Sequence, residues 1–215
     1  MSTPSPVAEE KQTIDTASAR PSRSRTYTAG AVVVVVLAVV AVTLWKVQGR
    51  SAEVPYDDPQ AAGLLTLCSA DGKAVTEGSV DDRPFASVVL GQTGVPAELD
   101  PQGAVASLFA YQPREGITAA EFSGTVLTAA GTLVDPSRPG VIVSEDVWSV
   151  SDFVTAFPAT DDGYVQLRLY LGTSGAGTLT EIPYDTADLR VDGDRWELVR
   201  GGHASCADAA SVVRP

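Results

Sequence analysis

From Thr26 to Trp45 the chain reads TYTAGAVVVVVLAVVAVTLW, twenty residues without a charge held between Arg25 and Lys46. Twenty helical residues rise about 30 Å, the thickness of a bilayer's hydrocarbon core, so the run is long enough to span. Inside lipid every backbone N–H and C=O must be satisfied within the segment, and a single helix is the isolated form that does this. The valines at 32–36 do not oppose it, because β-branching lowers helix propensity only slightly and lipid removes the competing partners for the backbone. Tyr27 and Trp45 fall about 27 Å apart along such a helix, which puts both amphipathic rings near headgroup level. Basic residues stay on the cytoplasmic side. Lys11, Arg20, Arg23 and Arg25 precede the run, and only Lys46 and Arg50 follow it before a long acidic stretch, so the N-terminus is expected inside. A cleaved signal peptide has a shorter apolar region ending in a small-x-small site, whereas this run passes into Trp45-Lys46-Val47-Gln48. The segment reads as a retained anchor.

The expected division follows. Residues 1–25 are rich in Ser, Thr, Pro and charge, with too little apolar mass to offset ordering entropy, and read as a disordered cytoplasmic tail. Residues 26–47 are the transmembrane helix. Residues 48–62, with two prolines and a charge cluster, read as a stalk. Residues 63–206 make an extracytoplasmic domain, and 207–215 a flexible C-terminal tail.

The whole chain carries a net charge of −12, and residues 51–215 hold 24 acidic against 9 basic side chains. Such a surface repels phosphate backbones, so nucleic acid is not an expected partner. The chain has no Asn, which excludes an Asn-x-Ser/Thr glycosylation site. Its cysteines, Cys68 and Cys206, both lie beyond the anchor. Two thiols in an oxidising compartment, at the start and end of one domain, read as a disulfide.

After the stalk the pattern becomes that of β structure. Apolar or alternating runs at Leu64–Cys68, Phe85–Leu90, Ala104–Gln112, Gly124–Thr128, Gly140–Val143, Tyr164–Leu171, Thr178–Ile182, Ala187–Val191 and Arg195–Val199 are separated by Asp, Gly and Pro clusters. This predicts a mainly β fold, an antiparallel β-sandwich with one or two short helices. In Tyr164–Leu171, Val165, Leu167, Leu169 and Leu171 alternate with Gln166 and Arg168, which predicts one buried face and one face wetted or half covered by tyrosine rings. Asp192-Gly193-Asp194 between two such runs predicts a tight hairpin. Ser149–Asp152 offers a capping arrangement before Val150, Phe153, Val154 and Phe157, with Pro158 as the stop, and Thr118–Glu121 offers a second capping box.

Candidate chemistry is sparse. His203 is the one histidine, and with Cys206 nearby it makes at most half of a metal site; an exposed histidine is the plainer reading. Gly172–Gly177 lacks the second glycine of a serine-hydrolase elbow and no helix follows it, so it reads as a hairpin loop. The doublets Asp57-Asp58, Asp81-Asp82 and Asp161-Asp162, with Asp192 and Asp194, suit glycoside hydrolysis or Ca²⁺ between loops only in principle, and turn-forming solvated acids account for them more simply. Trp148, Trp196, Tyr111, Tyr170 and Tyr184 belong to a recognition face or to the core. No catalytic, cofactor-binding or metal-binding residue is assigned.

The stretches LLTLCSADGKAVTEGSVDDRPFA, LFAYQPREG, DGYVQLRLYLG and YDTADLRVDGDRW carry a resemblance. The segment from Leu65 to Trp196 resembles a group of actinobacterial envelope proteins with a short basic tail, one membrane helix and a β-rich outer domain. The resemblance implies that topology and no catalytic residues. Asp162-Gly163-Tyr164 is also similar to the tyrosine corner of immunoglobulin sandwiches, although Gln166 stands where that family has cysteine. The expectation is a non-enzymatic recognition or structural module of the bacterial cell envelope. Its bilayer contact is through residues 26–47 and its partner is an envelope protein or glycan. The alternatives are an envelope hydrolase using paired carboxylates and an accessory or sensor subunit acting through its cytoplasmic tail.

Overall fold

The computed structural model describes residues 54–211. The expected tail and anchor, with Arg25, Tyr27, Trp45 and Lys46, lie outside them. No helix among the described residues is long and apolar enough to cross a membrane.

Among the described residues, twelve strands build two sheets. The smaller has β2 (Thr66–Cys68), β4 (Val88–Leu90) and β8 (Gly140–Ile142), antiparallel in the order β2-β4-β8. The larger runs β3 (Glu77–Ser79), β12 (Arg195–Arg200), β11 (Tyr184–Asp192), β9 (Tyr164–Thr173), β5 (Ala104–Gln112), β6 (Ser123–Val126), and it is antiparallel along that path. Three further strands extend it: β7 (Gly131–Thr132) on β5, β10 (Gly177–Thr178) on β9, and β1 (Ala61–Leu64) on β11, the last a parallel pair.

Side-chain alternation places one core between the sheets. Leu67, Val89 and Val141 of the small sheet meet Ala106, Leu108, Val165, Leu167, Leu169 and Leu189 of the large one. Small and large residues face each other across strands, as in the pairs Ala106–Leu171 and Ala110–Leu167, which lets the layer interdigitate. Trp196, 1% exposed, donates its indole N–H to the Ser79 carbonyl at 3.1 Å, so a large ring is buried with its polar atom satisfied.

Helix α1 (Val150–Ala156) begins where the sequence places it. Ser149 Oγ accepts the Asp152 N–H at 3.1 Å, and the Asp152 carboxylate accepts the Ser149 N–H at 2.7 Å. Val150 and Phe153 then face the core. The second expected capping box differs: residues 119–121 form a single 3₁₀ turn, and the Thr118 hydroxyl donates to the Glu121 carboxylate at 2.9 Å instead of capping the backbone.

The disulfide is present. Cys68 and Cys206 are joined with Cα atoms 5.5 Å apart, packed among Val88, Leu90 and Ala209. Two expected boundaries move as a result of packing. Residues 54–62 are not a free stalk, since Val54 is buried and Ala61–Leu64 is a strand. Residues 207–211 are not a free tail, since Ala209 is buried beside the disulfide and Arg138 pairs with Asp208 at 3.0 Å. Residues 54–211 lie in one compact unit and hold the described core, both sheets and the disulfide, the makings of an independent folding unit.

Candidate functional site

The second face of the large sheet differs from expectation. Gln166, Arg168 and Tyr170 point away from the core, as alternation requires, yet are 0, 2 and 3% exposed. Two segments outside the sheet account for this: a strap at 54–60 and the connection after β5 that carries Phe122 supply groups that contact these side chains. The face is a second, polar interior.

Four charges balance within it. Arg168 donates through Nε to Gln166 Oε1 at 2.6 Å, through Nη2 to the Ala119 carbonyl at 2.7 Å, and through Nη1 to the Tyr170 hydroxyl at 3.3 Å. Its guanidinium lies 4.1 Å from the Tyr111 ring centre and 4.8 Å from that of Tyr184, a cation–π arrangement on two sides. Its carboxylate partner is Asp58 of the strap, 3.6 Å away, which also accepts the Tyr184 hydroxyl at 3.0 Å. Beside this pair, Asp188 accepts Arg200 Nε at 2.5 Å and the Tyr56 hydroxyl. Burial pushes the Asp188 carboxyl up, against the pull of Arg200 and of the Tyr56 hydrogen bond. Burial also raises the Tyr56, Tyr111 and Tyr184 phenols, and Tyr56 and Tyr184 stay protonated as donors to Asp188 and Asp58. The cluster locks the strap to the sheet, and its acids and bases are engaged with one another.

Against this cluster opens a cleft of about 1100 Å³. The strap forms one wall with Pro55, Asp57 and Asp58, and Arg114, Ile117 and Asp161 line the rest. The doublets Asp57-Asp58 and Asp161-Asp162 thus meet around one opening. Burial raises the Asp161 carboxyl first, with the negative charges of Asp162 and Glu115 adding to it. The other acids gather elsewhere: the Asp82 carboxylate accepts the Ser79 N–H at 2.9 Å, and the Val80 N–H donates to the Asp194 carbonyl at 3.0 Å. No group of three or more His, Cys, Asp or Glu among the described residues is placed to hold a metal ion.

His203 is exposed, and Cys206 is committed to the disulfide. Gly172–Gly177 closes the β9–β10 hairpin. Of the aromatics, Trp196, Tyr170 and Tyr184 are buried, Tyr111 is half-buried and Trp148 is exposed. Sequence reasoning missed Tyr56, Asp58, Asp188 and Arg200 as members of one cluster. The available signal was Arg168, a lone cation in an apolar strand with tyrosines at either end, since such a charge needs a buried partner. Comparison with known proteins finds no matching family model, no matching curated protein and no matching solved structure.

Proposed function

We propose that this chain is a single-pass membrane protein of the bacterial cell envelope, its N-terminus cytoplasmic, whose outer domain recognises an envelope protein or glycan through the strap-walled cleft. The observation that carries the reading is the lock on the strap: Asp58 on Arg168 and Tyr56 on Asp188 hold one wall of the cleft by buried contacts. A pre-organised wall loses little ordering entropy on binding, which suits recognition. The Cys68–Cys206 disulfide supports an oxidising compartment, and the charge-free run at 26–45 supports the anchor.

Two experiments test this. A reporter fused after Pro215 is expected to be active only when it folds outside the cytoplasm; activity restricted to the cytoplasm overturns the topology. A photo-crosslinking residue at Ile117, on the cleft, is expected to give discrete adducts in living cells that the same residue at exposed Val126, away from the cleft, does not. Identical adducts from both positions overturn the role of the cleft.

One observation favours a second reading, an envelope hydrolase. The raised carboxyl of Asp161 beside Asp162 and Glu115 has the environment of a general acid. Glycan turnover by residues 51–215 that Asp161→Asn abolishes would establish it.

A further inference from the structure

A second pocket opens where β9 and β11 of the large sheet meet the loop after β4, and it shares no lining residue with the cleft. Strand β11 alternates so that Asp185 faces inward beside Leu169, its registered partner on β9, and the residue is only 3% exposed. Its two oxygens differ in what they meet. Oδ2 accepts the backbone N–H groups of Gln92 and Thr93 at 2.5 and 2.8 Å, which ties the loop after β4 of the small sheet to the large one. Oδ1 is buried and has no hydrogen-bond partner among the described residues.

The surroundings are shaped around that carboxylate. A β-carbon on Gly63 would meet Oδ1 at 2.5 Å and the Thr93 hydroxyl at 2.6 Å, so only a glycine leaves room there for both the acid and the hydroxyl. Asp185 and Thr93 then line a pocket of about 360 Å³ whose walls are largely apolar, with Leu169, Leu171, Pro96 and Pro139. Glu98, a second acid, also lines it. A structural clasp needs one oxygen and two N–H groups, and Oδ2 already provides that. The unpartnered Oδ1 is left over, and a buried acceptor without a donor is unfavourable.

We propose that this pocket binds an alkylammonium group, with the cation donating to Asp185 Oδ1 and the Thr93 hydroxyl and the alkyl body lying on Leu169, Leu171 and the prolines. An ammonium carries three donors and no acceptor, which matches an acid and a hydroxyl presented together. A hydrogen bond between ionised partners is stronger than one between neutral groups, so an amine is preferred over the alcohol of the same length. The group can come from a small free amine or from a lysine-type side chain. The inference is independent of the role given to the strap-walled cleft.

The test uses residues 51–215, isotope-labelled and followed by NMR, with four additions: n-hexylamine, n-hexanol, and the methylamides of Nα-acetyl-lysine and Nα-acetyl-norleucine. The amine is expected to shift the Gln92 and Thr93 amides and the Leu169 and Leu171 methyls saturably, about tenfold more tightly than the alcohol. Asp185→Asn keeps an oxygen for the two N–H groups while removing the charge, and is expected to erase the preference for amine over alcohol. A response to the lysine derivative but not to norleucine identifies the side-chain source; a response to hexylamine alone identifies the free amine. Equal binding of amine and alcohol to the wild-type domain overturns the proposal, as does an unchanged preference in Asp185→Asn or no shift at these residues at about 10 mM amine. Should Asp185→Asn not fold, Thr93→Val with the same amine and alcohol pair decides: a reduced amine preference supports the site, and retention of the full preference overturns it.

Discussion

The Arg168 guanidinium and the Asp58 carboxylate face each other at 3.6 Å with side chains 3% and 2% exposed, one from the middle of the central strand β9 and the other from a strap outside the sheet. The strap is held to the fold by a charge pair in a place where alternation leads one to expect solvent.

Removing one member of that pair leaves the other buried and alone. Arg168→Met is expected to destabilise residues 51–215 by about 3 kcal/mol in urea denaturation, the usual cost of breaking a buried pair. Arg168→Met with Asp58→Asn is expected to be less damaging than the two single changes added together, with a coupling of roughly 0.5–3 kcal/mol. Simple additivity would show that the two side chains do not act as a pair.

Two carboxyls give opposite pH signatures. Asp152 is held below its ordinary 3.8, first by the Ser149 backbone hydrogen bond and then by the Ser149 hydroxyl. Its contribution is therefore present above pH 3.8 and lost as pH falls through the lowered value. Asp188 is raised by burial, so the folded state holds its proton more tightly than the unfolded chain does. Its contribution is present below 3.8 and lost as pH rises through the raised value. Ser149→Ala is expected to cost about 1 kcal/mol at neutral pH and, because the backbone N–H remains, to make the acid limb shallower without removing it. Asp188→Asn is expected to remove the decline on the other side. Stability profiles parallel to the wild type in both variants would refute the assignment.

Cys68 and Cys206 are 138 positions apart. Closing a loop of that length is worth at most about 5 kcal/mol in the chain-entropy model. Cys68→Ala with Cys206→Ala is expected to lower the urea midpoint by a large part of that, and a reductant is expected to do the same to the wild type. A midpoint that neither treatment moves would mean that the bond is not formed in the folded protein.

Gly163 has φ +80°, and a β-carbon there would collide with the Val191 carbonyl oxygen. Gly163→Ala is expected to cost about 1–3 kcal/mol. Gly175, whose β-position meets nothing within 4 Å, serves as the control, and its alanine variant is expected to change stability by less than about 0.5 kcal/mol. Equal effects at both sites would contradict the backbone assigned at Gly163.

What could be read from the sequence was set by short-range patterns. Strands β5 and β9 show in the alternation of Ala104–Gln112 and Tyr164–Leu171, the β11–β12 hairpin in Gly193 with φ +60°, and helix α1 in Ser149 and Asp152. The expected strand Thr178–Ile182 shortens to Gly177–Thr178 because the flank of β9 from Leu169 back to Tyr164 belongs to β11. That strand starts at Tyr184, earlier than its apolar pattern shows, because it buries Asp185 and Thr186. Strand β3, Glu77–Ser79, has too few residues and too little apolar character to signal itself. The polar interior was hidden for a different reason. Asp58 and Tyr56 look like linker residues until the fold brings Arg168 and Asp188 to them, and no local spacing encodes a contact between the strap and β9 or β11.

The crosslink has a mechanical consequence. A tensile load applied between residue 51 and the C-terminus enters the covalent ring at Cys68 and leaves it at Cys206, so β3 to β12 lie on a slack bypass that cannot be drawn out. Extension is confined to the strap, β1 and the few residues on either side of the bond. Tugging on this protein would peel Asp58 away from Arg168 long before it could unravel the sheets.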